Sequence, residues 1–257
     1  MTSKEQGRQY AARRAQAQRN MKTHITEILS AAASDIADKA SVIKQVSNKT
    51  LFTQLIASMA SDVLKEADEK IMEYTIAYSK ASIQVLGDKD TGATTRLINS
   101  NLFGKTFLER NETYMGYFCN DLANLIFACK KLKITGKQMS GVILKSFQDP
   151  YSSDIIVRAN KKGAGIQTPS YGHGIYHSAY QNIVRNAQGV ISVAWGRELR
   201  NYAKRNGAIG FYVYRGSSYP CDICDSEVDQ GLHPITDDMP PFHCNCVCIV
   251  ELVYKED

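Results

Sequence analysis

The sequence predicts an α+β chain in which a mainly helical N-terminal bundle is followed by a long helix and a small β-rich C-terminal unit. Three observations predict it. Apolar residues recur every three or four positions from Thr23 to about 148, the period of helices with one buried stripe. Between 149 and 174 two prolines and four glycines interrupt that period. Beyond a further helical run, branched and aromatic residues concentrate in IGFYVYRG at 209–216 and VCIVELVY at 247–254. With 257 residues, 44% of them hydrophobic, the chain can bury a core in one or two domains.

Residues 1–22 read as a basic arm, because they hold six Lys or Arg against one Glu and have few apolar side chains to bury. Arg13, Arg14 and Arg19 are its candidates for contact with phosphates. The helical domain, 23–148, opens with Ile25, Ile28, Ala32, Ile36, Ala40 and Ile43 on one stripe. A second helix carries Leu51, Leu55, Met59, Val63, Ala67, Ile71, Tyr74 and Tyr78, and GDKDTG at 87–92 reads as a loop. A further helix carries Tyr114, Phe118, Leu122, Leu125, Cys129 and Leu132, which makes Cys129 a small core residue, with Cys119 structural beside it. Nothing here has catalytic spacing.

The third segment, 149–257, begins with an irregular linker. Its KKGAG run lacks the GK[ST] ending of a phosphate loop, and His173 with His177, four apart, reads first as polar surface. The long helix follows, with Tyr176, Tyr180, Ile183, Ala187, Ile191 and Ala194 inward and a stop at Asn206-Gly207. Arg197, Arg200 and Lys204 form a basic stripe along it and are further candidates to face nucleic acid.

Charge is segregated. The four stretches 1–22, 23–129, 130–217 and 218–257 carry +5, −3, +11 and −8, which sum to +5. A basic arm and a basic middle suit phosphates or an acidic partner, and the acidic tail does not. No stretch approaches the roughly 20 apolar residues of a membrane span, and the N-terminus is too polar for a secretion signal. The expectation is a chain kept in a reducing cytoplasm, without a membrane partner or a small-molecule substrate.

Five of the seven cysteines fall in the last 37 residues. In a reducing compartment such clustering points to a metal rather than to disulfides. Cys221 and Cys224 make a CxxC pair, and His243 and Cys246 make an HxxC pair separated from Cys224 by eighteen intervening residues. Zinc takes four tetrahedral thiolate or imidazole donors, and two such pairs supply them. Four protein ligands leave no open position, so a Zn²⁺ ion here would be a structural staple for a unit with little core of its own. Cys248 is the alternative fourth ligand, since 244, 246 and 248 share one side of a strand, and His233 is an outside alternative to His243. A redox CxxC is disfavoured, because that motif belongs at a helix start and this one follows a strand among Asp222, Asp225 and Glu227.

The order long helix, strand, CxxC, short acidic loop and PPFHCNCVC at 240–248 is similar to the C-terminal domain of the phage Mu F-like minor head proteins, the head morphogenesis family of tailed phages. The likeness covers about 165–252. Cys244 stands where that family commonly has proline, and Val247 where it has arginine. The resemblance implies a metal-binding or fold-holding role for Cys221, Cys224, His243, Cys246 and Cys248, and no catalytic residue. It implies a minor capsid protein, a virion component in few copies at the portal or head interior, acting in assembly, DNA packaging or ejection with the portal or other head proteins as partners. Packaged DNA is then a target for the basic arm. The alternative is a zinc-stapled HNH-like nuclease, for which His233, with Asp237 and Asp238, would have to supply the chemistry.

Overall fold

The computed structural model describes residues 3–43, 48–101, 104–172, 175–243 and 246–255. Among them the chain is α+β and mainly helical, with eight α-helices and one three-stranded antiparallel sheet near the C-terminus. The helices are α1 (Lys4–Ser41), α2 (Lys49–Leu86), α3 (Ala93–Ile98), α4 (Phe107–Lys131), α5 (Gly136–Ser146), α6 (Asp154–Lys161), α7 (Ala179–Arg205) and α8 (Asp222–Asp229). The strands are β1 (Ala208–Tyr214), β2 (Leu232–Pro234) and β3 (Ile249–Tyr254), in the order β2-β1-β3.

Contacts divide the chain into two compact units. One comprises 1–22, 73–107 and 187–257; the other comprises 23–72 and 108–186. The division falls inside α1, α2 and α7, so the units interleave along the chain and do not follow the continuous segments 23–148 and 149–257.

In the unit 23–72 and 108–186, Ile25, Leu29, Ile36, Phe52, Ile56, Phe118, Leu125, Ile143, Phe147 and Ile183 are buried. The first half of the α2 stripe differs from its sequence reading by one position, whereas Ala67 and Ile71 are buried as read. Phe52, Ile56, Ala60 and Leu64 face inward, while Leu51 and Leu55 are exposed. Adjacent apolar residues 100° apart on a helix both fit the period, and the bulkier Phe52 takes the core. Cys119 and Cys129 are buried, and burial pushes the Cys129 thiol up to about 12, as expected of inert core residues. Part of the supposed linker is ordered helix: α6 buries Ile155, Ile156 and Ala159. Polar groups also hold this unit. Asp121, fully buried on α4, accepts hydrogen bonds from the hydroxyls of Tyr151 and Tyr171, each at 2.8 Å, and from the Ala179 amide at the start of α7. Lys130 Nζ donates to the carbonyls of Ser41 and Ile43, both at 2.8 Å, closing the exposed end of α1.

In the other unit the first turns of α1 are regular helix packed into the core, which corrects the reading of 1–22 as a solvated arm. Tyr10, Ala17 and Met21 are buried. Tyr10 lies 4.9 Å from the ring of Trp195 on α7 and donates its hydroxyl to the Trp195 carbonyl at 2.8 Å. The Trp195 indole N–H in turn donates to the Tyr78 carbonyl of α2 at 2.9 Å. Gly7 rides on β3, where a Cβ would collide with the Val250 carbonyl. Phe211, Val213, Val250 and Leu252 form the inner face of the sheet, with Phe211 opposite His233 on one side and Leu252 on the other. No helix among the described residues is long and apolar enough to cross a membrane.

Candidate metal centre

Sheet and helix ends bring the C-terminal donors together. After β1 the chain turns at Gly216, where any Cβ would strike the Val247 carbonyl, so the loop before α8 and the loop before β3 run in contact. Arg215 ties this turn to α8: it donates to the carbonyls of Cys221 and Tyr219 and pairs with Asp225. Asp225 also accepts the Cys221 amide at 3.2 Å. On the other side, the Cys246 amide donates to the His243 carbonyl at 3.0 Å, which keeps these two residues close.

Two overlapping groups result. Cys221, Cys224 and His243 form one and Cys224, Cys246 and Cys248 the other, with the donor atoms of each within 4.8 Å of one another. Cys224 belongs to both. Its Sγ lies 3.0 Å from His243 Nε2 and 3.9 Å from Cys246 Sγ, and Cys221 Sγ lies 3.3 Å from the same nitrogen. Tetrahedral zinc with Zn–S near 2.3 Å sets its sulfurs about 3.8 Å apart, so the observed spacing suits a single ion. Cys224, Cys246 and Cys248 are buried, and Cys221 and His243 are partly exposed. The described cysteines form no disulfide, and Cys244 lies outside the described residues.

Both pairs read from the sequence contribute to these groups, His243 beside Cys221 and Cys224, and Cys246 with Cys248 beside Cys224. Protons compete with a cation for these sulfurs. A hydrogen bond from the Cys248 thiol draws Cys246 down to about 5 and pushes Cys248 upward in return, while burial raises Cys224 to about 12. The cluster can therefore bind a metal, and doing so displaces protons from the buried thiols.

Two sequence readings near this site are corrected. Cys221 is the N-cap of α8, so the CxxC does open a helix, a feature hidden because DICDSEVD has weak helical patterning. What speaks against redox use is the raised pKa of Cys224 and the imidazole and thiols crowded on the same sulfurs. Arg14 is not a phosphate contact. It is 4% exposed and its Nη2 donates to the Cys246 carbonyl at 3.1 Å and the Cys248 carbonyl at 3.4 Å, fixing the donor loop from behind. Nothing in the local sequence marks it, since its partners stand 232 and 234 positions away.

The other basic candidates divide. Arg13, Arg19, Arg197 and Lys204 are exposed on α1 and α7. Arg200 is partly buried and held by Asp238 and the Thr236 carbonyl. His233 stays out of the cluster. It is 2% exposed on β2, stacks on Phe211 with ring centroids 4.9 Å apart, and places Nε2 2.7 Å from the Glu227 carbonyl. His177 Nδ1 sits 2.7 Å from the Pro169 carbonyl, and His173 lies outside the described residues. No protein-family model, curated protein or solved structure matches this chain.

Proposed function

We propose that the chain is a minor capsid protein of a tailed phage head, a structural component acting at the portal or head interior in assembly, DNA packaging or ejection. Its C-terminal unit is held by one structural Zn²⁺. The reading rests on one observation: four cysteines and a histidine from the CxxC and PPFHCNCVC segments gather into two overlapping donor groups that share Cys224, in the segment that resembles the Mu F-like proteins. With five protein donors available, no coordination position need go to substrate. Cys221, Cys224, His243 and Cys246 are the ligands, with Cys248 able to take the place of one. The exposed Arg13, Arg19, Arg197 and Lys204 supply sequence-independent contacts to packaged DNA.

Two measurements test the halves of this reading separately. Elemental analysis of purified protein should give one zinc per chain, and Cys224→Ser, which removes the donor shared by both groups, should reduce it below a tenth. Retention of zinc by that variant would refute the ligand set. Mass spectrometry of heads purified from the virus whose genome carries this sequence should find the chain in few copies. Its absence from intact heads would refute the capsid role.

A further inference from the structure

The first turns of α1 have a second face that the cysteine centre does not use. Gly7 and Arg14 turn toward β3 and the donor loop, whereas Gln6, Gln9, Tyr10 and Arg13, which share one side of the helix, line a cavity of about 540 Å³. Its other walls are Gln84, Val85 and Leu86 from the last turn of α2 and Tyr202 from the last turn of α7. The volume is that of an ordinary small-ligand site, about 300–1,000 Å³. The lining carries one charge, the guanidinium of Arg13, and no carboxylate. Among the described residues Arg13 forms no ion pair, and Glu5 on the same helix is paired with Arg8 at 3.4 Å. Three glutamine amides, each able to donate and to accept, stand around the cavity. Val85, which is 44% exposed, Leu86 and the Tyr202 ring supply its apolar surface.

These walls restrict the ligand. A simple anion would use Arg13 and leave the apolar surface against water, and a purely apolar ligand would leave the amides and the guanidinium without partners. A nucleotide has all three complements: a phosphate for Arg13, a base edge with donors and acceptors for the glutamines, and base faces to cover Val85, Leu86 and Tyr202. A glutamine amide matches the adjacent donor and acceptor of adenine in particular. The base must also be out of its stack, because in a duplex both faces are covered by neighbouring pairs and the walls of a concave site stay out of reach.

We infer that this cavity binds one unpaired nucleotide of a DNA strand, so that the chain prefers single-stranded to duplex DNA. The inference rests on the reading of Arg13 as a DNA contact and deepens it by naming the form of DNA that reaches that side chain. Arg19, Arg197 and Lys204 do not line the cavity and contact backbone phosphates of either form.

The test is fluorescence anisotropy of the purified full chain with a labelled oligodeoxyadenosine strand and with a duplex of that strand and its complement. The strand should bind at least ten-fold more tightly than the duplex. Gln9→Ala and Gln84→Ala, both at exposed positions, should each weaken strand binding at least five-fold while leaving duplex binding within two-fold and the melting temperature unchanged. Arg19→Met should weaken both forms alike. Equal affinity for strand and duplex, or undiminished strand binding in both glutamine variants, would overturn the cavity site and leave the phosphate contacts proposed above standing. Displacement of the strand by poly-glutamate of equal charge would also overturn it and assign the cavity to an acidic peptide. Binding of neither form of DNA would count against those phosphate contacts and the cavity together.

Discussion

Arg14 shows how far a single side chain can depart from the role its sequence context suggests. It sits in a run of exposed glutamines and arginines, yet its guanidinium is buried and spends two hydrogen-bond donors on the carbonyls of the two cysteines that precede β3. Arg14→Met keeps most of the apolar stem and removes the donors, leaving two buried carbonyls without a partner. That costs about 1–3 kcal/mol by the usual penalty for an unpaired buried group. The expected outcome is a lower urea midpoint with an unchanged denaturant slope, together with faster loss of metal to a chelator. Arg13→Met, one position away and exposed, should change neither. By contrast, the gathering of Cys221, Cys224, His243, Cys246 and Cys248 was legible from their spacing, because short intervals along the chain keep such donors near one another. The position of Arg14 behind them is not local and leaves no spacing to read.

At the level of elements, the same difference recurs. The existence of α1 beyond Thr23, α2, α4 and α7, and of β1 and β3, follows from periodicity and composition, and the stop at Gly207 follows from its left-handed backbone, φ 76°. Which face of α2 is buried did not follow, because Leu51 and Phe52, and Leu55 and Ile56, are adjacent apolar pairs and only packing chooses between them. The destination of α1 was equally hidden. Its approach to β3 depends on Gly7, a residue that helix propensity alone would mark as a defect worth about 1 kcal/mol. Gly7→Ala should therefore lower the melting temperature, since the added methyl meets the Val250 carbonyl. Gly141→Ala on α5, where a Cβ meets open space, should raise it. Equal shifts in the same direction would show that α1 does not lie on the sheet.

For the molecule as a whole, the response to pH is set by a carboxyl group that no sequence pattern singles out. Burial raises Asp121 from its ordinary value of 3.8 to about 6 despite its three hydrogen-bond donors. A carboxyl raised in the folded state favours folding below the unfolded pKa, and that contribution is lost as pH rises through about 6, with a ceiling of about 3 kcal/mol. Relative to Asp121→Asn, which cannot titrate, the wild-type chain should be most stable near pH 4 and lose that advantage between pH 4 and 7. Parallel melting curves across that range would exclude the shift. The interleaved units carry a further consequence for how the chain is made. At the roughly 5–20 residues per second of ribosomal synthesis, Arg14 emerges about 12–46 s before Cys246 does. Through that interval the first turns of α1 have neither β3 nor the donor loop to rest on, so the nascent chain must hold them in reserve until both of those segments leave the ribosome.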